Sequence, residues 1–143
     1  MEDHLIHNQI KPLYIKEVSG KGRGVFCSKP IKKGEVIEIS PIILIPEADI
    51  PLIKKTMLYN YYFECDTGEI AIALGYASIY NHSFEPNAKY LKDEDKQTIK
   101  ITAIQDIQKD EEITMNYNGN PELMDEVVFT DFVLQPSKDQ NYN

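Results

Sequence analysis

Turn-forming residues divide this chain into short pieces, and no other feature constrains its fold as much. Clusters of Gly, Pro, Asp and Asn recur from one end to the other, with short alternating apolar and polar runs between them. Such spacing predicts a mainly β domain. Strands are expected over Leu13 to Val18, Gly24 to Cys27, Val36 to Ser40, Ile42 to Ile45, Tyr61 to Glu64, Glu69 to Leu74, Ala88 to Leu91, Thr98 to Ala103 and Ile113 to Met115. "CDTGEI", with Asp66 and Gly68, and "KDEDKQ" read as tight hairpin turns. Helical signals are confined to Leu52 to Asn60, behind Pro51, and to Pro121 to Val128, where Asn120 stands in a capping position. An internal echo links "IKKGEVI" (31–37) with "IQKDEEI" (107–113). Gly34 and Asp110 both tolerate positive φ, so the echo predicts one turn type used twice.

At 143 residues the chain suffices for one domain that buries about two-thirds of its unfolded surface without covalent staples. Cys27 and Cys65 lack CxxC spacing and are too few for a four-thiolate site, so no metal is expected. No apolar run approaches ~18 residues and the start lacks the layout of a signal peptide, which predicts an intracellular protein with no membrane contact. Net charge is -8, gathered in Asp93-Glu94-Asp95, Asp110-Glu111-Glu112 and 122–126. Such a surface repels a phosphate polymer, so DNA and RNA are excluded as direct partners, and it attracts a Lys/Arg-rich protein segment. Plain solubility explains the same charge equally simply.

Three stretches carry candidate chemistry. "SGKGRGVF" (19–26) places three glycines ahead of a strand and holds Arg23, the sole arginine. It fits neither the phosphate-binding loop nor the dinucleotide fingerprint, and alone it reads as a hairpin turn. "YNHSFEPN" (80–87) is a polar corner forced off regular structure before Pro86, either a structural turn or a ligand site. No G-x-S-x-G elbow accompanies it, which leaves a Ser-His hydrolase without support. "DEEITMNYNG" (110–119) ends a β pattern on Tyr117, whose hydroxyl demands a partner when buried.

In this order the three pieces resemble the SET-domain protein lysine methyltransferases: Gly22-Arg23-Gly24-Val25-Phe26, then Asn81-His82-Ser83-Phe84-Glu85-Pro86-Asn87, then Glu111-Glu112-Ile113-Thr114-Met115-Asn116-Tyr117. The resemblance implies a fold of several small β-sheets with short helices and a C-terminal pseudoknot. It divides the chain into an N-terminal extension (1–11), a SET domain (12–118) and a C-terminal segment (119–143) with a frayed tail. It also implies S-adenosylmethionine as cofactor, lined by Lys21, Gly22 and Arg23, with Asn81 bonding its amino-acid end and the His82 backbone pairing with adenine. Tyr117 matches the catalytic tyrosine, and Tyr61, Tyr90, Met115 and Phe129 are expected around the channel for the substrate lysine. Met115 replaces an aromatic residue common at its position and widens the channel, whereas Tyr90 fills it, so the degree of methylation stays open. A Cys-rich zinc lid is absent from the sequence, and residues 120–132, with Phe129 and Phe132, are expected to close the channel instead. The expected substrate is a histone tail or another basic protein, added as a strand to a sheet edge. A homodimer is a candidate assembly. The alternative is a non-catalytic module of the same fold that binds a basic peptide.

Overall fold

The computed structural model describes residues 10–119. Nine strands form along them: β1 (Leu13–Val18), β2 (Gly22–Cys27), β3 (Val36–Ile45), β4 (Tyr62–Glu64), β5 (Ile70–Ala73), β6 (Asn81–His82), β7 (Ala88–Asp93), β8 (Thr98–Ala103) and β9 (Glu112–Met115). Two sheets result, one ordered β1-β2-β9-β6 and the other β4-β5-β3-β8-β7. Every pairing is antiparallel except β6 with β9. The last strand therefore lies between two earlier ones, an insertion in keeping with the expected pseudoknot. The mainly β expectation holds, and so do both hairpins. Gly68 turns β4 into β5 at φ 87, and Gln97 turns β7 into β8 at φ 51.

Isoleucine and alanine side chains from both sheets make up most of the core. Val25, Ile37, Ile99, Ile101, Ile113 and Met115 are all fully buried, and burial of apolar surface on this scale is what holds so turn-rich a chain together. Cys27 is buried and free, its thiol donating to the Gln108 carbonyl at 3.0 Å; Cys65 is also free. Among the described residues no helix is long and apolar enough to cross a membrane, and no group of three or more His, Cys, Asp or Glu could hold a metal.

Three expectations need correction. The break at Pro41 is not a break: β3 runs through it, pairing with β8 up to Pro41 and with β5 from Ile42. A proline lacks a ladder donor, and it is tolerated where a strand changes partner. The helix expected over Leu52 to Asn60 is split into a single turn, α1 (Ile50–Ile53), and a 3-10 turn over Met57–Asn60. Thr56 divides them, extended at φ -122 and ψ 164, with its Oγ1 and N–H both donating to the Ile53 carbonyl. β6 has no counterpart in the sequence reading. The second expected helix, Pro121 to Val128, lies outside the described residues.

The echoed heptads are one device used twice. Gly34 (φ 90) and Asp110 (φ 65) occupy the left-handed position, and the Glu35 and Glu111 carboxylates accept from the N–H of Lys32 and Gln108, both at 2.7 Å. Their leading isoleucines, Ile31 and Ile107, pair with each other through a β-bridge. The two turns thus brace one corner of the core.

Candidate active site

The site grows from the parallel pairing of β6 with β9, which sets Asn81 opposite Thr114 and His82 opposite Met115. Two residues cannot hold a strand by ladder bonds alone. Asn87 supplies the missing fixation: its Nδ2 donates to the Glu112 carbonyl at 2.8 Å and its Oδ1 accepts from the Thr114 N–H at 2.9 Å. A buried amide bonded on both sides to one backbone behaves as a splint for β9.

Asn81 is held at its nitrogen. Its Nδ2 donates to the Glu112 carboxylate at 2.7 Å and to the Arg23 carbonyl at 3.1 Å. Both amide hydrogens are thereby committed inside the protein, and Oδ1 is the atom with acceptor capacity to offer a ligand. Lys21 approaches the other Glu112 oxygen at 3.7 Å. Gly24 makes the crowding possible, because a Cβ there would stand 2.7 Å from Glu112 Oε2, 2.8 Å from Val18 Cγ2 and 3.0 Å from Asn81 Nδ2. Gly22 starts β2 at φ 79, so the glycine stretch is a hairpin turn and a wall of this site at once. Arg23 contributes its carbonyl, while its side chain is exposed.

His82 joins that cluster to Tyr117. Its Nδ1 accepts the Tyr117 N–H at 3.0 Å, and the two rings lie 5.2 Å apart, with Phe84 edge-on to the imidazole at 4.5 Å. An accepting Nδ1 must be unprotonated; burial, helped by the Lys21 charge, holds the imidazole pKa below its ordinary value. The Tyr117 hydroxyl donates to the Tyr80 carbonyl at 2.5 Å. Burial pushes its pKa far up, with Tyr61 and Glu112 adding to the shift, so this phenol keeps its proton through the physiological range. Tyr90 donates to the Tyr117 carbonyl at 3.2 Å and meets Phe63 edge-on at 5.0 Å.

Most of the expected residues therefore come together. Lys21, the Gly22 turn, the Arg23 carbonyl, Asn81 and His82 form one cluster, and Tyr117, Tyr90 and half-buried Tyr61 form an adjoining aromatic group. Met115 is fully buried at the seam, in register with His82. Phe129 lies outside the described residues. The sequence reading assigned no role to Glu112, Asn87 or Tyr80, although all three stand within or beside the quoted motifs.

Among the described residues, then, this is a small β domain whose last strand is inserted between earlier ones and whose Asn81-His82 pair and half-buried Tyr117 meet at that strand. Residues 22–118 match the SET domain, and the chain belongs to that family. It is 32% identical over 116 residues to a Schizosaccharomyces pombe histone-lysine N-methyltransferase specific for H3 lysine-37, covering 80% of this chain and 79% of that protein. A variant-silencing SET domain-containing protein of Plasmodium falciparum is 34% identical in an alignment that covers 78% of this chain and 5% of that longer one. A solved structure of a Plasmodium falciparum protein, proposed to be a histone methyltransferase, superposes with a TM-score of 0.62 at 35% identity, over 76% of this chain and 95% of that one.

Proposed function

We propose that this protein transfers a methyl group from S-adenosylmethionine to the ε-amine of a lysine in a histone or another Lys/Arg-rich protein. The observation that carries the reading is the Tyr117 hydroxyl, fixed on the Tyr80 carbonyl immediately before the Asn81-His82 pair. Asn81 fits the cofactor because its committed nitrogen leaves an acceptor for an ammonium, and Lys21, Gly22, Arg23 and the His82 backbone complete the same wall. When bound, the cofactor supplies an electrophilic sulfonium methyl.

The rest falls to this chain. A free lysine amine has a pKa of ~10.4, and a pocket of Tyr61, Tyr90, Met115 and Tyr117 disfavours its ammonium form, as does any desolvated site. Tyr117 acts as an orienting hydrogen-bond group and not as a base, since its own proton is held so firmly. Phe129, in the 120–132 segment, closes the channel in this reading. A histone substrate would make the protein nuclear.

The test is transfer from methyl-labelled S-adenosylmethionine to mixed core histones and to a lysate. Label on a specific protein that falls ~100-fold with Tyr117→Phe is the expected result. Cofactor binding without transfer to any protein would point to a missing substrate or partner, and neither transfer nor cofactor binding would remove the enzyme reading in favour of a peptide-binding module.

A further inference from the structure

Glu38 is a buried carboxylate, 2% exposed, on a strand outside the cluster described above. A charged group in such a place needs full hydrogen bonding to be tolerated. Each of its oxygens has a donor: Oε1 accepts the Tyr80 hydroxyl and Oε2 accepts the Tyr76 N–H, each at 2.9 Å. Both donors belong to the turn over residues 75–80, the segment that presents the Tyr80 carbonyl to Tyr117. The turn is closed by the Ile79 N–H on the Tyr76 carbonyl at 2.8 Å and by the Ser78 hydroxyl on the Ala73 carbonyl at 3.0 Å. Gly75 starts it at φ 82, and a Cβ there would stand 2.5 Å from Glu38 Oε2. The carboxylate therefore presses directly on the turn and ties both of its ends.

We infer that Glu38 is a positioning residue for the proposed methyl transfer: by gripping Tyr76 and Tyr80 it fixes the carbonyl that orients the Tyr117 hydroxyl. Tyr80 serves twice, its side chain anchored on β3 and its carbonyl aimed at Tyr117. Asn81, the next residue, has independent anchors in Glu112 and the Arg23 carbonyl. Loosening the Glu38 grip therefore disturbs the aromatic group more than the cofactor wall. The inference rests on the functional reading above for its effect on catalysis, and on geometry alone for its effect on Tyr117.

Glu38→Gln keeps the shape but turns an amide NH2 toward one of two donors, and Tyr80→Phe removes one donor while keeping the carbonyl. In each, kcat is expected to fall by about ten- to a hundredfold while peptide KM and S-adenosylmethionine affinity stay within about twofold. The double variant is expected to be no worse than the worse single one, because both break one connection. Labelling tyrosine at the phenolic carbon, with Tyr117→Phe to assign the signal, should show the Tyr117 resonance displaced in both variants. Unchanged kcat with an unmoved resonance, multiplied effects in the double variant, parallel loss of cofactor affinity, or failure of both variants to fold would each overturn the inference. Should the wild type transfer no methyl group, the functional reading falls, and the Tyr117 resonance alone decides the positioning: displaced supports it, unmoved sinks it.

Discussion

His82 works only as a neutral ring. Its Nδ1 accepts the Tyr117 N–H, and a proton there would set donor against donor. Burial first, and the Lys21 charge second, depress its pKa below the ordinary 6.5. The unfolded chain takes up that proton near 6.5, the folded chain only at lower pH, so between the two values the unfolded state binds more protons. Stability from this group is therefore complete above the unfolded value and is lost as pH falls through the folded one. Thermal melts from about pH 8 to about pH 5 should show a decline that His82→Asn flattens. Parallel profiles for wild type and variant would clear His82 of that role. Lys21→Met offers a finer check: removing the nearby positive charge should bring the folded pKa closer to the unfolded value and so make the decline smaller.

At the scale of elements, β9 depends on side chains as much as on its ladder. Asn87→Ala removes two bonds to its backbone and leaves a buried carbonyl and N–H without partners, a loss expected to be about 2 to 4 kcal/mol in urea unfolding. A loss below about 0.5 kcal/mol would mean β9 is held by its ladder alone. Gly24→Ala tests the neighbouring contact. Glu112 can swing away from the new methyl only by releasing Asn81, so cofactor affinity should drop more steeply than stability. Much of this frame was legible in advance, because hairpins write their pattern locally: Asp66 and Gly68 mark one turn, and alternation marks the strands beside it. β6 was not, since two residues carry no period and their partner strand lies far along the chain. Glu38 was hidden for a different reason. "VIEIS" reads as plain alternation with an outward glutamate, but a bulge between Val36 and Glu38 turns the register, so Ile37, Glu38 and Ser40 are all buried. The motif residues Asn81, His82 and Tyr117 were visible through family resemblance, whereas their supports, Glu112 and Asn87, make sense only once the strands are paired.

Over the whole molecule, a net charge of -8 stands against a proposed substrate that is rich in Lys and Arg. Asp95, Asp110 and Glu111 are exposed, so their fields reach solvent and are open to screening. The internal polar contacts are less so: buried Asn87 and Glu38 and half-buried Asn81 hold their partners through short hydrogen bonds. Salt should therefore separate capture of the substrate from the integrity of the site. With screening lengths shrinking from about 10 Å at 0.1 M to about 3 Å at 1 M, a Lys/Arg-rich peptide should bind progressively more weakly, mainly through slower association. S-adenosylmethionine affinity and melting temperature should change far less over the same range. Stopped-flow association of a fluorescent basic peptide, run beside calorimetric titration of the cofactor, makes the comparison directly. A peptide on-rate indifferent to salt would show that the acidic surface serves solubility, and would leave substrate choice to the shape of the channel.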